Sequence, residues 1–237
     1  MDDYILHMTR RTLLDQVLEE SPLASSKKPT PSRLVYAAIS KLKDSGKHRL
    51  TSYHADILQK AAGKIERVSG FLLIYPTCCV HLIEAETSIL IAVLKALQSD
   101  KTFFDATCVL SFTEDVPYRL FTAWLTGFIN SSNFGPYEAF RPEMVLTAAS
   151  ELNINLLKWG KYLSEMDKVQ QSAALDSVRS TAEEYLPDNP GAIFGIILSE
   201  DIPKLNEVLE LLDDPPEDII FDSELVWPKP QMPFKLL

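Results

Sequence analysis

Val68 to Ala85 reads V-S-G-F-L-L-I-Y-P-T-C-C-V-H-L-I-E-A, and the fold turns on this stretch. Two apolar runs rich in β-branched and aromatic residues are separated only by Pro76-Thr77, which is how a buried β-hairpin is written. A hairpin of this kind needs further strands beside it and a helical layer over it.

Both are legible in the flanks. Before the hairpin, Leu34-Val35-Tyr36-Ala37-Ala38-Ile39 reads as a short apolar strand. A helix capped by Thr51 or Ser52 follows to about Glu66, with Ile57, Leu58, Ala61, Ala62 and Ile65 as its apolar stripe. After the hairpin, the spacing of Ile89, Val93, Ala96 and Leu97 predicts a helix from about Ser88 to Asp100. Ala106 to Phe112 reads as another strand, and Phe121 and Trp124 fall in a last short strand or turn. The order is β-α-β-β-α-β over residues 33–128, the α+β ferredoxin-like sandwich.

Outside this core, residues 1–20 read as an N-terminal helix with Ile5, Leu6, Leu13, Leu14, Val17 and Leu18 on one side. Residues 21–32, with prolines at 22, 29 and 31, read as a linker. Residues 129–200 return to helical periodicity, about Pro142 to Leu152, Ile154 to Leu163 and Asp167 to Leu186, and are expected to cap the open side of the sheet. Two short apolar helices are expected further on, Ala192 to Leu198 and Pro203 to Leu212, and residues 201–237 form an acidic, proline-rich extension that ends in large apolar anchors, among them Trp227 and Phe234. A tail bearing such residues is expected to dock on this protein or on another chain.

Charge and composition remove several function classes. The net charge of −10 disfavours nucleic acid, which needs a surplus of Lys and Arg on one face. The charge is concentrated: Ser199 to Glu224 holds ten carboxylates and one lysine, so the rest of the chain is nearly neutral. That block reads as a solvated linker, with a basic partner surface as the alternative. No apolar run long enough for a membrane helix occurs, and Met1-Asp2-Asp3 is acidic where a secretory signal is basic. Three cysteines, Cys78, Cys79 and Cys108, make no disulfide framework, which implies a reducing intracellular compartment.

Candidate chemistry is sparse. Vicinal Cys78 and Cys79 point to opposite faces of a strand and read as buried thiols rather than a metal clamp. His48 and His54 lack zinc-like spacing and read as residues of a solvated loop. His81 lies inside an apolar strand with Cys79 and Ile83 on its own face, and reads as a core histidine held by a hydrogen bond. Glu84 and Glu86 have no nucleophile near them, and Glu86 reads as a cap of the following helix. Phosphate-binding glycine motifs and a nucleophile elbow are both missing from the sequence, so no catalytic residue or metal ligand is assigned and the chain is not expected to be an enzyme.

One resemblance stands out. L-V-Y at 34–36, V-S-G-F-L at 68–72, V-H-L-I-E-A at 80–85 and R-x-F-x-x-W at 119–124 resemble, in order and separation, the motifs of the BLUF domain, a flavin-binding blue-light sensor. The resemblance implies that Tyr36 and Trp124 stand at flavin-facing positions and that His81 replaces the glutamine that rearranges under light. Ala61-Ala62-Gly63-Lys64-Ile65-Glu66 replaces the asparagine-containing stretch that holds the ring, and Lys101-Thr102 replaces an expected Arg and His. Losing several polar partners removes both affinity and orientation, so a BLUF-like fold without flavin is expected.

The whole chain further resembles an animal family of testis-expressed proteins with a degenerate BLUF-like domain. That resemblance implies a non-enzymatic structural or adaptor protein of the cytoplasm or cytoskeleton, a component of the sperm flagellar axoneme. Its partners would be other proteins, such as axonemal subunits, gripped through Leu13, Val17, Trp227 and Phe234. The alternative is a small-ligand or flavin-binding sensor that uses a residual pocket near Tyr36, His81 and Trp124.

Overall fold

The structure is a computed structural model that describes residues 11–12, 30–42, 46–129, 142–176, 185, 190–213 and 225–226. The chain divides into two units, one of residues 30–214 and one of residues 1–29 with 215–237. In the second of these, Arg11 lies opposite Val226 and Thr12 opposite Leu225 in a short antiparallel pair. The expected contact residues Leu13, Val17, Trp227 and Phe234 lie outside the described residues.

The larger unit is built on a sheet of strands β1 (Ser32–Ser40), β2 (Ser69–Ile74), β3 (Cys78–Ala85), β4 (Phe104–Thr113) and β5 (Trp124–Phe128). Helix α1 (Lys47–Ala62) joins β1 to β2, and α2 (Thr87–Ser99) joins β3 to β4. The five strands stand in the order β4-β1-β3-β2-β5, antiparallel except for β2 and β5, which run parallel. The first four strands have the ferredoxin-like arrangement, and β5 extends it by one strand. Tyr75 N donates to Cys78 O at 2.8 Å, which closes the β2–β3 hairpin around Pro76-Thr77.

Both faces of this sheet are covered. Alternation along β1 sends Leu34, Tyr36 and Ala38 to one face and Val35, Ala37 and Ile39 to the other, and residues 34–38 are fully buried. The first face packs on α1, α2 and on Leu205 and Leu209 of α6 (Leu205–Asp213). The second packs on α3 (Pro142–Ser164), α4 (Lys168–Asp176) and α5 (Pro190–Leu198), through Leu152, Leu156, Trp159, Ala174 and Ile193. Central strands buried on two faces read as continuous apolar runs rather than as alternating ones, and that is the character of the hairpin sequence.

Several local expectations are corrected. Helix α1 begins at Lys47, not at Thr51, because the Thr51 hydroxyl turns back to the Lys47 carbonyl at 3.2 Å instead of capping. Glu86 does occupy the N-cap position of α2, but its side chain makes no cap and pairs with Arg67 at 2.6 Å. The helices expected over 142–152 and 154–163 are one helix. Asn153 at their junction does not break it, since its side-chain oxygen accepts a bond from Ser111 across to β4 at 3.1 Å. The acidic stretch is not all solvated linker: the helix expected over Pro203 to Leu212 is present as α6, which packs Leu205 and Leu209 inward, leaves Leu211 exposed, and pairs Asp213 with Lys95 of α2 at 2.7 Å.

Candidate functional site

The sheet register brings the three expected pocket residues together. Tyr36 on β1 stands opposite His81 on β3, and His81 stands opposite Leu72 on β2. Trp124 opens β5 beside Gly70, a position with no side chain, and its indole reaches past β2 to His81. Trp124 Nε1 lies 2.9 Å from His81 Nε2, and the Tyr36 hydroxyl lies 2.8 Å from His81 Nδ1.

These contacts fix the tautomer of His81. An indole nitrogen only donates, so His81 Nε2 must accept and carry no proton. The ring proton then sits on Nδ1 and is donated to the Tyr36 oxygen. The imidazole is neutral in this arrangement, and burial together with the nearby His54 ring holds its pKa well below the usual histidine range. Burial likewise raises the Tyr36 phenol well above its ordinary value. Tyr36 and His81 are fully buried.

The histidine that sequence reasoning placed in a solvated loop belongs to this cluster. His54 is only 2% exposed, and its ring centroid stands 5.0 Å from that of His81. Its place follows from helical spacing: Leu50, Ile57 and Leu58, at i−4, i+3 and i+4, are all buried on the same stripe of α1. Reading the periodicity from Leu50 onward, rather than treating His54 by residue type, finds it. Its Nδ1 donates to the Leu50 carbonyl at 2.8 Å, while Nε2 is buried with no hydrogen-bond partner among the described residues. Desolvation lowers its pKa to about 4. His48, by contrast, is exposed in the first turn of α1, edge-on to Phe128.

Sequence reasoning also passed over Glu84 as a structural hub. This carboxylate is fully buried on the opposite face of β3 from His81, yet five groups donate to it. Arg33 bonds it through Nε and Nη2 at 3.0 and 2.8 Å, and Ser69 Oγ at 3.1 Å. The backbone N–H groups of Leu120 and Phe121 add bonds at 2.9 and 3.1 Å. Glu84 therefore ties β1, β2 and β3 to the segment that leads into Trp124. The signal was the cross-strand register, since Arg33 and Ser69 are both direct partners of Glu84.

Burial raises the thiols, Cys79 to about 12 and Cys108 to about 11, so both are protonated and weakly nucleophilic at neutral pH. Among the described residues, no group of three or more His, Cys, Asp or Glu side chains is placed to hold a metal ion, and no helix is long and apolar enough to cross a membrane.

Strand order and site together define a ferredoxin-like α+β domain whose polar centre is an internal Tyr–His–Trp relay. The chain belongs to the family described as testis-expressed protein 47, whose model matches residues 32–210. Among solved structures, the BLUF protein BlrB in its dark state is similar at 14% identity and a TM-score of 0.36, over 66% of this chain and 98% of that one. A bacterial light-regulated adenylyl cyclase is similar at 17% identity and a TM-score of 0.36, over 62% of this chain and 40% of its own length. The BLUF chain of BlrP1 is similar at 16% identity and a TM-score of 0.33, over 42% of this chain and 66% of its own. The present chain thus spans less than two thirds of the cyclase and of the BlrP1 chain.

Proposed function

We propose that this chain is a non-enzymatic structural or adaptor protein, a component of the sperm flagellar axoneme, in which the ferredoxin-like unit is a rigid block that works without flavin. The observation that supports it is the relay itself: the polar atoms of His81 are used up by Trp124 and Tyr36, and those of Trp124 by His81. A flavin ring at these residues needs donors and acceptors that the protein already spends internally. Membership in a family described by testis expression supports the tissue, and the axonemal site is the role proposed for it there. Partner proteins are gripped by the segments at either end of the chain.

Two measurements test the reading. The visible spectrum of freshly purified full-length protein is expected to show no flavin bands; stoichiometric flavin would overturn it. Deleting residues 1–20 or 225–237 is expected to abolish co-purification with axonemal proteins and to leave the cooperative unfolding of the remainder in place. Retention of the same partners by a chain lacking both segments would rule out the adaptor role as stated.

A second reading has one observation in its favour. His54 Nε2 is a buried acceptor without a donor among the described residues, beside Tyr36 and His81, and a small ligand carrying an N–H or O–H could meet it. Ligand-induced shifts of the His54 imidazole resonances on adding riboflavin or a nucleotide would favour this reading, and unchanged resonances would count against it.

A further inference from the structure

Helix α3 carries a second, outward stripe of which the core uses only Leu157, at its edge. Leu146, Ser150, Asn153, Leu157 and Lys161 recur at spacings of three and four, with Ile154 and Lys158 beside them, so all face one side of the helix. Leu146 is 56% exposed and Ile154 49% exposed, large apolar side chains left facing solvent on a helix whose other face is buried. Two hollows flank this stripe. One, of about 480 Å³, lies between α3 and β4 and is lined by Leu146, Ile154, Phe112, Pro203 and Val208. The other, of about 330 Å³, is lined by Tyr118, Leu157, Lys158, Lys161 and Arg33. Ile154 lines both, so they form one groove along α3 from Leu146 to Lys161, roughly 22 Å at the helical rise per residue.

The two ends of the groove differ in chemistry. The first is apolar, with the Ser111–Asn153 bond crossing its floor. The second is cationic, and no carboxylate lines it, although the protein as a whole carries a net charge of −10. Arg33 is engaged by Glu84 behind the groove, but Lys158 and Lys161 form no ion pair among the described residues. Tyr118, 65% exposed, stands over the same end. A groove of this build selects against basic partners by like-charge repulsion and favours carboxylates at one end only.

We propose that this groove docks an amphipathic segment of a partner protein, about four helical turns long, whose apolar stripe lies on Leu146, Ile154 and Phe112 and whose acidic end meets Lys158 and Lys161. This names a surface and a partner chemistry for the adaptor role and rests on that reading. The surface is distinct from the terminal segments, so the two fail separately.

The test is a selection of random peptides of about 16 residues, the length the groove spans, displayed on phage against the full-length chain. Enriched peptides are expected to combine a helical apolar stripe with Asp or Glu at one end. Hydrogen exchange is expected to slow at residues 146–161 when a synthetic copy of an enriched peptide is added. The double variant Lys158→Glu/Lys161→Glu, at two exposed positions, is expected to weaken that peptide about tenfold or more while keeping the parent's melting temperature. A selection that yields no enrichment, peptides without carboxylates, or binding that survives the charge reversal would overturn the groove and leave the adaptor reading standing. Slow exchange over the stripe before any peptide is added, or slowing that grows with protein concentration alone, would show the face already covered and would also overturn the proposal.

Discussion

Gly70 shows how a single residue holds the polar centre in place. Its φ is +134°, and a Cβ added there would stand 2.1 Å from the Leu82 carbonyl oxygen, which is main chain and cannot move aside cheaply. Gly70→Ala is therefore expected to lower stability by roughly 3 kcal/mol, read as a fall in the urea midpoint. The histidines make a different demand. His54 and His81 are neutral when folded and regain ordinary pKa values near 6.5 when unfolded. Below that value the unfolded chain takes up protons that the folded one refuses, so stability is whole above about pH 6.5 and falls as pH drops toward 4. For His54 the loss is roughly 3 kcal/mol across that window, and the two histidines together give a slope of up to about 2.7 kcal/mol per pH unit. Urea titrations at pH 7, 6 and 5 check this, and His54→Leu is expected to remove about half the slope. A pH-independent midpoint would show that the rings are solvated.

Among the elements, the hairpin was legible because a continuous apolar run with a two-residue Pro76-Thr77 break has few other readings. The strand order followed from the alternation of elements, and the Tyr36–His81–Trp124 set from motif positions. What stayed hidden was of another kind. His54 was lost because residue type was weighed above helical spacing, and Glu84 because its five donors come from two other strands and a loop. The Thr51 cap misled because the same hydroxyl serves equally well bonding back to residue i−4. The terminal segments carry a prediction at this scale. Arg11–Thr12 and Leu225–Val226 pair with each other, so each is the other's backbone partner. Deleting residues 1–20 and deleting residues 225–237 are expected to have the same effect on partner co-purification, and the double deletion no more than either alone. Additive losses, read by quantitative pull-down, would make the two segments independent grips.

At the scale of the whole molecule, the sheet is the middle layer of three. Helices α1, α2 and α6 make one outer layer, and α3, α4 and α5 make the other. Burial on both faces explains why so little of the central sequence looks functional: side chains that would line a cleft in a two-layer sandwich are here occupied with packing. The adaptor role proposed above accordingly places recognition outside the sheet, on the outward stripe of α3 and in the terminal segments.

The central place of β1 bears on how the chain is made. Ser32–Ser40 leaves the ribosome first among the strands of the sheet, yet its partners are β3 and β4, and the second is not finished until Thr113. At ordinary synthesis rates that interval is on the order of ten seconds, during which an apolar strand lacks first both neighbours and then, once Ala85 is made, one of them. Its long-range pairings are also those that close slowly once synthesis ends. The nascent chain thus carries an incompletely paired apolar strand until β4 is made, and raising chaperone levels during expression is expected to raise the yield of folded protein; an unchanged yield would show that the strand needs no shielding.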